Sequence, residues 1–257
     1  MRLLVPRLFH RGRHVLLWAM AFVLAAAAAP WVERSVTADG CHPSNGVAGF
    51  SASLPHVAAR LEAHEPLTIV ALGSSSTQGV GATRPEFSYP SRLALELRKR
   101  FGTEVRVLNR GVGGETMGAM LTRVDRDVIA AHADLVIWQV GTNDVLHDDD
   151  ITNAAEILRD GVRQMREAGI DVILMDIQYA PEVLSHDSYR DMLHATAAAA
   201  LAEGVPVFRR FQVMQSWDAT GMMPVSTALA DDRLHMNDRS YGCLARLLAD
   251  DIATAAR

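Results

Sequence analysis

The sequence predicts an α/β protein, a three-layer α/β/α sandwich with a parallel five-stranded sheet, and three observations carry that expectation. Short apolar runs rich in β-branched residues recur along the chain and suit strands buried on both faces. Longer amphipathic stretches alternate with them, which implies parallel strands joined by right-handed helical crossovers. Small polar turns rich in glycine follow the first three runs, where an open parallel sheet places its ligand site.

The elements follow in order. Leu67 to Leu72 is the first buried strand and ends in Gly73-Ser74-Ser75-Ser76-Thr77, before a helix over about 90–101. Val105 to Leu108 is the second strand; Gly111-Val112-Gly113-Gly114 follows it, and a helix is expected over 116–131. Leu135 to Val140 is the third, closed by Gly141-Thr142-Asn143-Asp144 and followed by a helix over 151–168. Val172 to Ile177 and Val205 to Phe208 complete the sheet on either side of a helix over 187–203. Arg209 through Ala230 holds Phe211, Met214, Trp217, Met222 and Met223 without clean periodicity, and reads as a long loop or as a short packed helix. Asp232-Arg233-Leu234-His235 then leads into a last helix over 238–255.

Upstream of the α/β pattern, Arg2, Arg7, Arg11 and Arg13 precede an uncharged apolar run from Val15 to Val32, and Glu33 and Arg34 follow it. Basic residues before such a run mark an export signal. The run is also long enough for a membrane anchor, with the positive end cytoplasmic. Cleavage in the alanine run Ala25 to Ala29 and retention as an anchor both fit the sequence. The chain thus divides into an export or anchor segment over 1–35, a linker and N-terminal segment over 36–65, and the α/β domain over 66–257. The expected location is periplasmic or secreted, with any membrane contact made through an uncleaved N-terminus. Cys41 and Cys243 are the only cysteines. An exported pair suggests a disulfide, although two separate thiols fit equally well.

Composition excludes several classes. Apolar residues make up 49% of the 257 residues, enough for a substantial core. A net charge of −5 with scattered arginines gives no footprint for nucleic acid. Lys99 is the only lysine, which excludes most lysine chemistry. No phosphate-binding Gly-x-x-x-x-Gly-Lys-Ser/Thr is present, and His56, His64, His132, His147, His186 and His194 are too dispersed for a His-Glu-x-x-His site. No cofactor and no metal is expected. Asp148-Asp149-Asp150 reads as a solvated loop, and Asp144 as a brace.

The four polar turns instead hold the parts of an acyl-transfer site. A serine hydroxyl needs a base to become a nucleophile, and His235 is the best candidate because Asp232 three residues earlier can accept its Nδ1 proton. The bare backbone of Gly114 and the amide of Asn143 can donate to a developing oxyanion, each donor being worth about 3 kcal/mol of barrier. Taken singly each turn has a bland reading, as a loop, an anion nest, a turn asparagine or a helix cap.

Taken together, Gly73-x-Ser75-x-Thr77, Asn109-x-Gly-x-x-Gly114, Gly-Thr-Asn143-Asp144 and Asp232-x-x-His235 resemble the four blocks of the SGNH hydrolase superfamily, the GDSL-type lipases and esterases, over about residues 66–255. The resemblance implies a flavodoxin-like sandwich with Ser75, Asp232 and His235 catalytic and with Ser75, Gly114 and Asn143 forming the oxyanion hole. Ser74 stands where the family carries aspartate, which leaves three adjacent hydroxyls; alignment on Thr77 selects Ser75, with Ser74 the alternative. The expected function is that of an exported serine esterase acting on O-acylated glycans or lipids. Acyl transfer to a sugar hydroxyl at the same site, and a non-catalytic glycan- or lipid-binding role, are the alternatives. A histidine base further predicts activity that rises with pH.

Overall fold

The computed structural model describes residues 40–43 and 49–257. The expected export or anchor segment lies outside the described residues. Among the described residues no helix is long and apolar enough to cross a membrane.

The chain enters through α1 (Pro55–Glu62), with proline in its first turn, where a missing N–H costs nothing. Strand β1 (Leu67–Gly73) leads into the short helix α2 (Ser75–Gln78), a 3-10 turn over 85–87 and α3 (Tyr89–Phe101). β2 (Val105–Gly111) follows, then α4 (Met117–Leu121), a π-helical turn over 125–129, β3 (Leu135–Gln139), α5 (Thr142–Leu146) and α6 (Ala154–Glu167). After β4 (Asp171–Met175) come α7 (Pro181–Leu184), α8 (Tyr189–Glu203), β5 (Val207–Phe208), α9 (Arg210–Ala219), α10 (Val225–Ala228) and α11 (Asp238–Ala255).

The five strands form one parallel sheet in the order β2-β1-β3-β4-β5, so the expected sheet and sandwich are present. The crossover from β1 to β2 runs one way along the sheet and those from β2 onward run the other. Right-handed connections therefore put α3 on one face, where it packs against α11, and α4, α6 and α8 on the opposite face. The strand order reverses between β1 and β3. β1 and β3 contribute Ile69, Val70, Ala71, Leu72, Leu135, Val136, Ile137 and Trp138 to the core, all fully buried. Trp138 lies so close to α6 that a Cβ on Gly161 would come within 2.5 Å of its ring.

Departures from the sequence reading have local causes. β2 runs on to Gly111 because Asn109, Arg110 and Gly111 pair with Ala71, Leu72 and Gly73 of β1. β5 starts only at Val207, since Val205 N–H closes the end of α8 on Ala200 O and Pro206 has no N–H to offer. The helix expected over 116–131 is divided: the Thr122 hydroxyl bonds Ala119 O at 2.7 Å, and the chain resumes as the π-helical turn. Residues 209–230 contain α9, whose Phe211, Val213, Met214 and Trp217 are buried, and α10.

α1 lies within the segment assigned to the linker and N-terminal segment, yet Leu54 and Val57 belong to the core. Leu54 N–H donates to Ala255 O at 2.9 Å. Cys41 is buried and joined to Cys243 of α11 by a disulfide, and Trp217 Nε1 donates to Cys41 O at 2.7 Å. The packed unit therefore begins well before residue 66.

Candidate active site

The reversal of strand order leaves an opening beyond the carboxyl ends of β1 and β3. Ser75 and Asn143 are delivered to those two ends, Gly114 to that of the neighbouring β2. His235 arrives from the turn that precedes α11.

The local sequence explains each placement. The backbone leaves β1 at Ser74 and turns into α2, whose first residue is Ser75; Gly79 closes the turn at φ 106°, a left-handed conformation that favours glycine. Asn237 caps α11, its Oδ1 accepting Arg239 N–H at 3.1 Å and Ser240 N–H at 3.3 Å while Ser240 Oγ accepts Asn237 N–H at 3.0 Å. Immediately upstream Ala230 N–H bonds His235 O at 2.8 Å, and Arg233 sits at φ 59° in the turn between them. The loop after α2 reaches this turn so closely that a Cβ on Gly81 would lie 2.4 Å from Met236 O and 2.9 Å from His235 Cβ.

These constraints bring three of the expected residues into one hydrogen-bonded line. His235 Nε2 is 2.7 Å from Ser75 Oγ, and His235 Nδ1 is 2.6 Å from Asp232 Oδ2. A carboxylate only accepts, so Nδ1 carries the proton and Nε2 is left to accept from the serine hydroxyl. The other carboxylate oxygen of Asp232 accepts Leu234 N–H at 3.0 Å and His235 N–H at 2.9 Å. Partial burial works to raise the Asp232 carboxyl, but these N–H groups and the His235 ring outweigh it and hold the group below the usual carboxylate range.

Ser74 is turned away from this line. It is buried, and both its N–H and its Oγ donate to Gln139 Oε1, at 3.0 and 3.1 Å. Thr77 Oγ1 donates to the same oxygen at 3.3 Å and lies 3.1 Å from Tyr89 Oη. Gln139, at the end of β3, thus fastens the turn that carries Ser75, bonding Ser74 itself, the position at which the resembling family carries an aspartate. Its only trace in the sequence is a lone polar residue closing an apolar run.

Gly114 sits at φ 80°, a conformation strained for any residue with a Cβ. The Asn143 side chain donates from Nδ2 to the carbonyl of the next residue, Glu115, at 2.8 Å, so the loop after β2 and helix α5 are joined at this point. Asp144 acts as a brace: both its oxygens lie 3.3 Å from Met117 N–H at the start of α4, and burial pushes its carboxyl up against that hydrogen bonding. Among the described residues no group of His, Cys, Asp and Glu side chains could hold a metal ion. A separate cleft of about 630 Å³ lies between α8 and α9, lined by Leu193, Leu201, Val207, Phe211 and Asp176 among others.

A parallel sandwich with this four-loop arrangement at its carboxyl edge is of the SGNH hydrolase type. The chain belongs to the non-GDSL lipase-like family, whose model matches residues 40–257. No curated protein matches the sequence. Solved structures repeat the fold. A two-domain esterase, CEX, active on acetylated mannans is 23% identical with a TM-score of 0.66, over 82% of this chain and 55% of that one, so the chain spans about half the length of that protein. A lipase/acylhydrolase from Enterococcus faecalis is 24% identical with a TM-score of 0.61, over 73% of this chain and 96% of that one. Axe2, an acetylxylan esterase from Geobacillus stearothermophilus, is 21% identical with a TM-score of 0.58, over 72% and 94% of the two chains.

Proposed function

We propose that the protein is a serine ester hydrolase, and the observation that carries this reading is the Ser75–His235–Asp232 line, with contacts of 2.7 and 2.6 Å. His235 Nε2 takes the Ser75 proton as Oγ attacks an ester carbonyl carbon. The N–H groups of Ser75 and Gly114 and the Asn143 amide donate to the oxyanion of the tetrahedral intermediate. His235 returns the proton to the leaving alkoxide, and Asp232 stabilises the imidazolium that forms in between. Water then repeats the sequence on the acyl-enzyme and frees Ser75. A second copy of the cycle with a sugar hydroxyl in place of water would be acyl transfer.

O-acetylated glycans are the substrate class this reading favours, because two of the similar folds belong to esterases named for acetylated mannan and xylan. The compartment is taken as periplasmic or extracellular, with delivery by the segment over 1–35; the disulfide between Cys41 and Cys243 supports it, since such bonds persist under oxidising conditions.

The test is hydrolysis of nitrophenyl esters of increasing acyl length by the wild-type chain and its Ser75→Ala variant, together with labelling by a fluorophosphonate. Turnover and labelling that both vanish in the variant, with acetyl preferred, are the expected result. Folded protein that is labelled at Ser75 but turns over no ester would favour acyl transfer. Folded protein that is neither labelled nor active would sink the catalytic reading and leave a glycan- or lipid-binding role.

A further inference from the structure

We infer that Arg123 is a positioning residue that holds the oxyanion-donating loops in register with the nucleophile, an inference that rests on the esterase reading above. The three donors come from three strand ends, and strand pairing alone does not secure them. The β1 to β2 register stops at Gly73 and Gly111, ahead of Gly114, and the β1 to β3 register stops at Leu72 and Trp138. Something beyond the sheet has to tie the loops together.

Arg123 lies in the break between α4 and the π-helical turn, its side chain only 6% exposed. Nε and Nη2 are 2.7 and 2.6 Å from the same Glu115 oxygen, Oε2. Nη1 donates to Asp127 Oδ2 at 2.7 Å. Nη2 also donates to Gly73 O at 3.2 Å. Glu115 is therefore gripped at both ends, its carboxylate by Arg123 and its carbonyl by the Asn143 amide at 2.8 Å.

Through these contacts one guanidinium reaches every oxyanion donor. Gly114 precedes Glu115 directly, Asn143 is bonded to Glu115, and Gly73 stands two residues before Ser75. The Gly73 carbonyl also accepts Val112 N–H at 3.0 Å, which draws the β2 loop to the same point. The contacts use all three guanidinium nitrogens, a spread that a lysine ammonium, with its three donors on a single nitrogen, does not reproduce. A buried ion pair is a poor device for stability because desolvation offsets attraction, so its place at the junction of these loops argues for geometry rather than strength. Displacing a reacting group by about 1 Å can cost on the order of a hundredfold in rate.

The test uses Arg123→Lys and Glu115→Gln in the full chain, with kcat and KM on nitrophenyl acetate, the melting temperature, and the NMR signals of the Gly114 backbone amide and the Asn143 side-chain amide. Glu115→Gln keeps the arginine and the shape of its partner, so it carries the test if the Arg123 variant fails to fold. Expected are folded variants with kcat lowered about tenfold or more, KM changed less than about twofold, and both amide signals moved. Activity lost only in proportion to the unfolded fraction, with both signals unmoved, would reduce Arg123 to a structural residue and overturn the inference. The amide signals decide this point even if the wild type hydrolyses no ester. Signals moved in the variants, relative to a wild type that hydrolyses no ester, would uphold the positioning role and refute the esterase reading.

Discussion

Replacing Asp232 by asparagine is expected to harm turnover more than replacing it by alanine, an order that follows from the hydrogen bonds of its two oxygens. Oδ1 accepts the N–H groups of Leu234 and His235, and Oδ2 faces His235 Nδ1. An asparagine keeps its single oxygen on the two N–H groups, which points its NH2 at Nδ1. That stabilises the imidazole with its proton on Nε2, facing Ser75, the wrong form for a base. Flipping the amide would forfeit two hydrogen bonds at about 1 kcal/mol each and confront N–H with N–H, so recovery of the working tautomer costs roughly 2–3 kcal/mol, a factor of about 30–150. Loss of the negative charge adds to this in both variants. The Asp232 side chain is 42% exposed, so solvent screens its attraction to the imidazolium. An effective dielectric of about 40–80 at roughly 4 Å leaves about 1–2 kcal/mol, near tenfold. Alanine incurs only that loss, because water can reach Nδ1 at this exposure. Steady-state hydrolysis of nitrophenyl acetate at pH 7.5 should thus show kcat/KM down about 10–30-fold for Asp232→Ala and about a thousandfold for Asp232→Asn. Equal losses, or a worse alanine variant, would refute the tautomer argument. The melting temperature of each variant separates this from unfolding.

Burial pushes the Asp176 carboxyl up to about 7 from 3.8, against the opposing Phe211 N–H and the positive Arg210. Between those values the folded chain holds a proton that the unfolded chain releases, so this group's contribution is full below about pH 4, declines as pH rises to about 7, and is level above. Asp176→Asn keeps an oxygen for Phe211 N–H, at 2.9 Å in the wild type, and should melt higher than the wild type at pH 8 and alike near pH 4; a lower melting point at pH 8 would mean that Arg210 requires the ionised partner. The disulfide closes a span of 202 residues. Its loss in the Cys41→Ser, Cys243→Ser chain should cost about 2–5 kcal/mol, or about 4–20 °C in melting temperature. Reduction of the wild type should give the same drop, and an unchanged melting curve under reductant would contradict it.

The elements that were legible beforehand are those whose cause is local. Apolar runs such as Leu67 to Leu72 and Leu135 to Val140 become strands because their β-branched side chains suit burial on both faces. The spacing of Asp232 and His235 needs only one turn to bring a carboxylate to a ring nitrogen, so that pair was readable from four residues. Three of the four loops could be placed together beforehand because the strands of a parallel sheet end on the same edge; the turn that carries His235 follows no strand of the sheet directly, and only the packed chain brings it there.

What the tertiary structure alone decided depends on which strand lies beside which. Three adjacent serines leave the candidate nucleophile open in sequence; pairing of β1 with β3 sets Ser74 against Gln139, and it is the Ser75 hydroxyl that meets His235. The roles of Gln139, Glu115 and Arg123 have no sequence signature, because a lone polar residue acquires its partners only when loops distant in the chain converge. The choice between a disulfide and two thiols is of the same kind: Cys41 meets Cys243 because α9 offers Trp217 Nε1 to Cys41 O and α1 packs into the core. Local patterns encode what a segment can bury, whereas contacts between segments exist only after the chain has closed on itself.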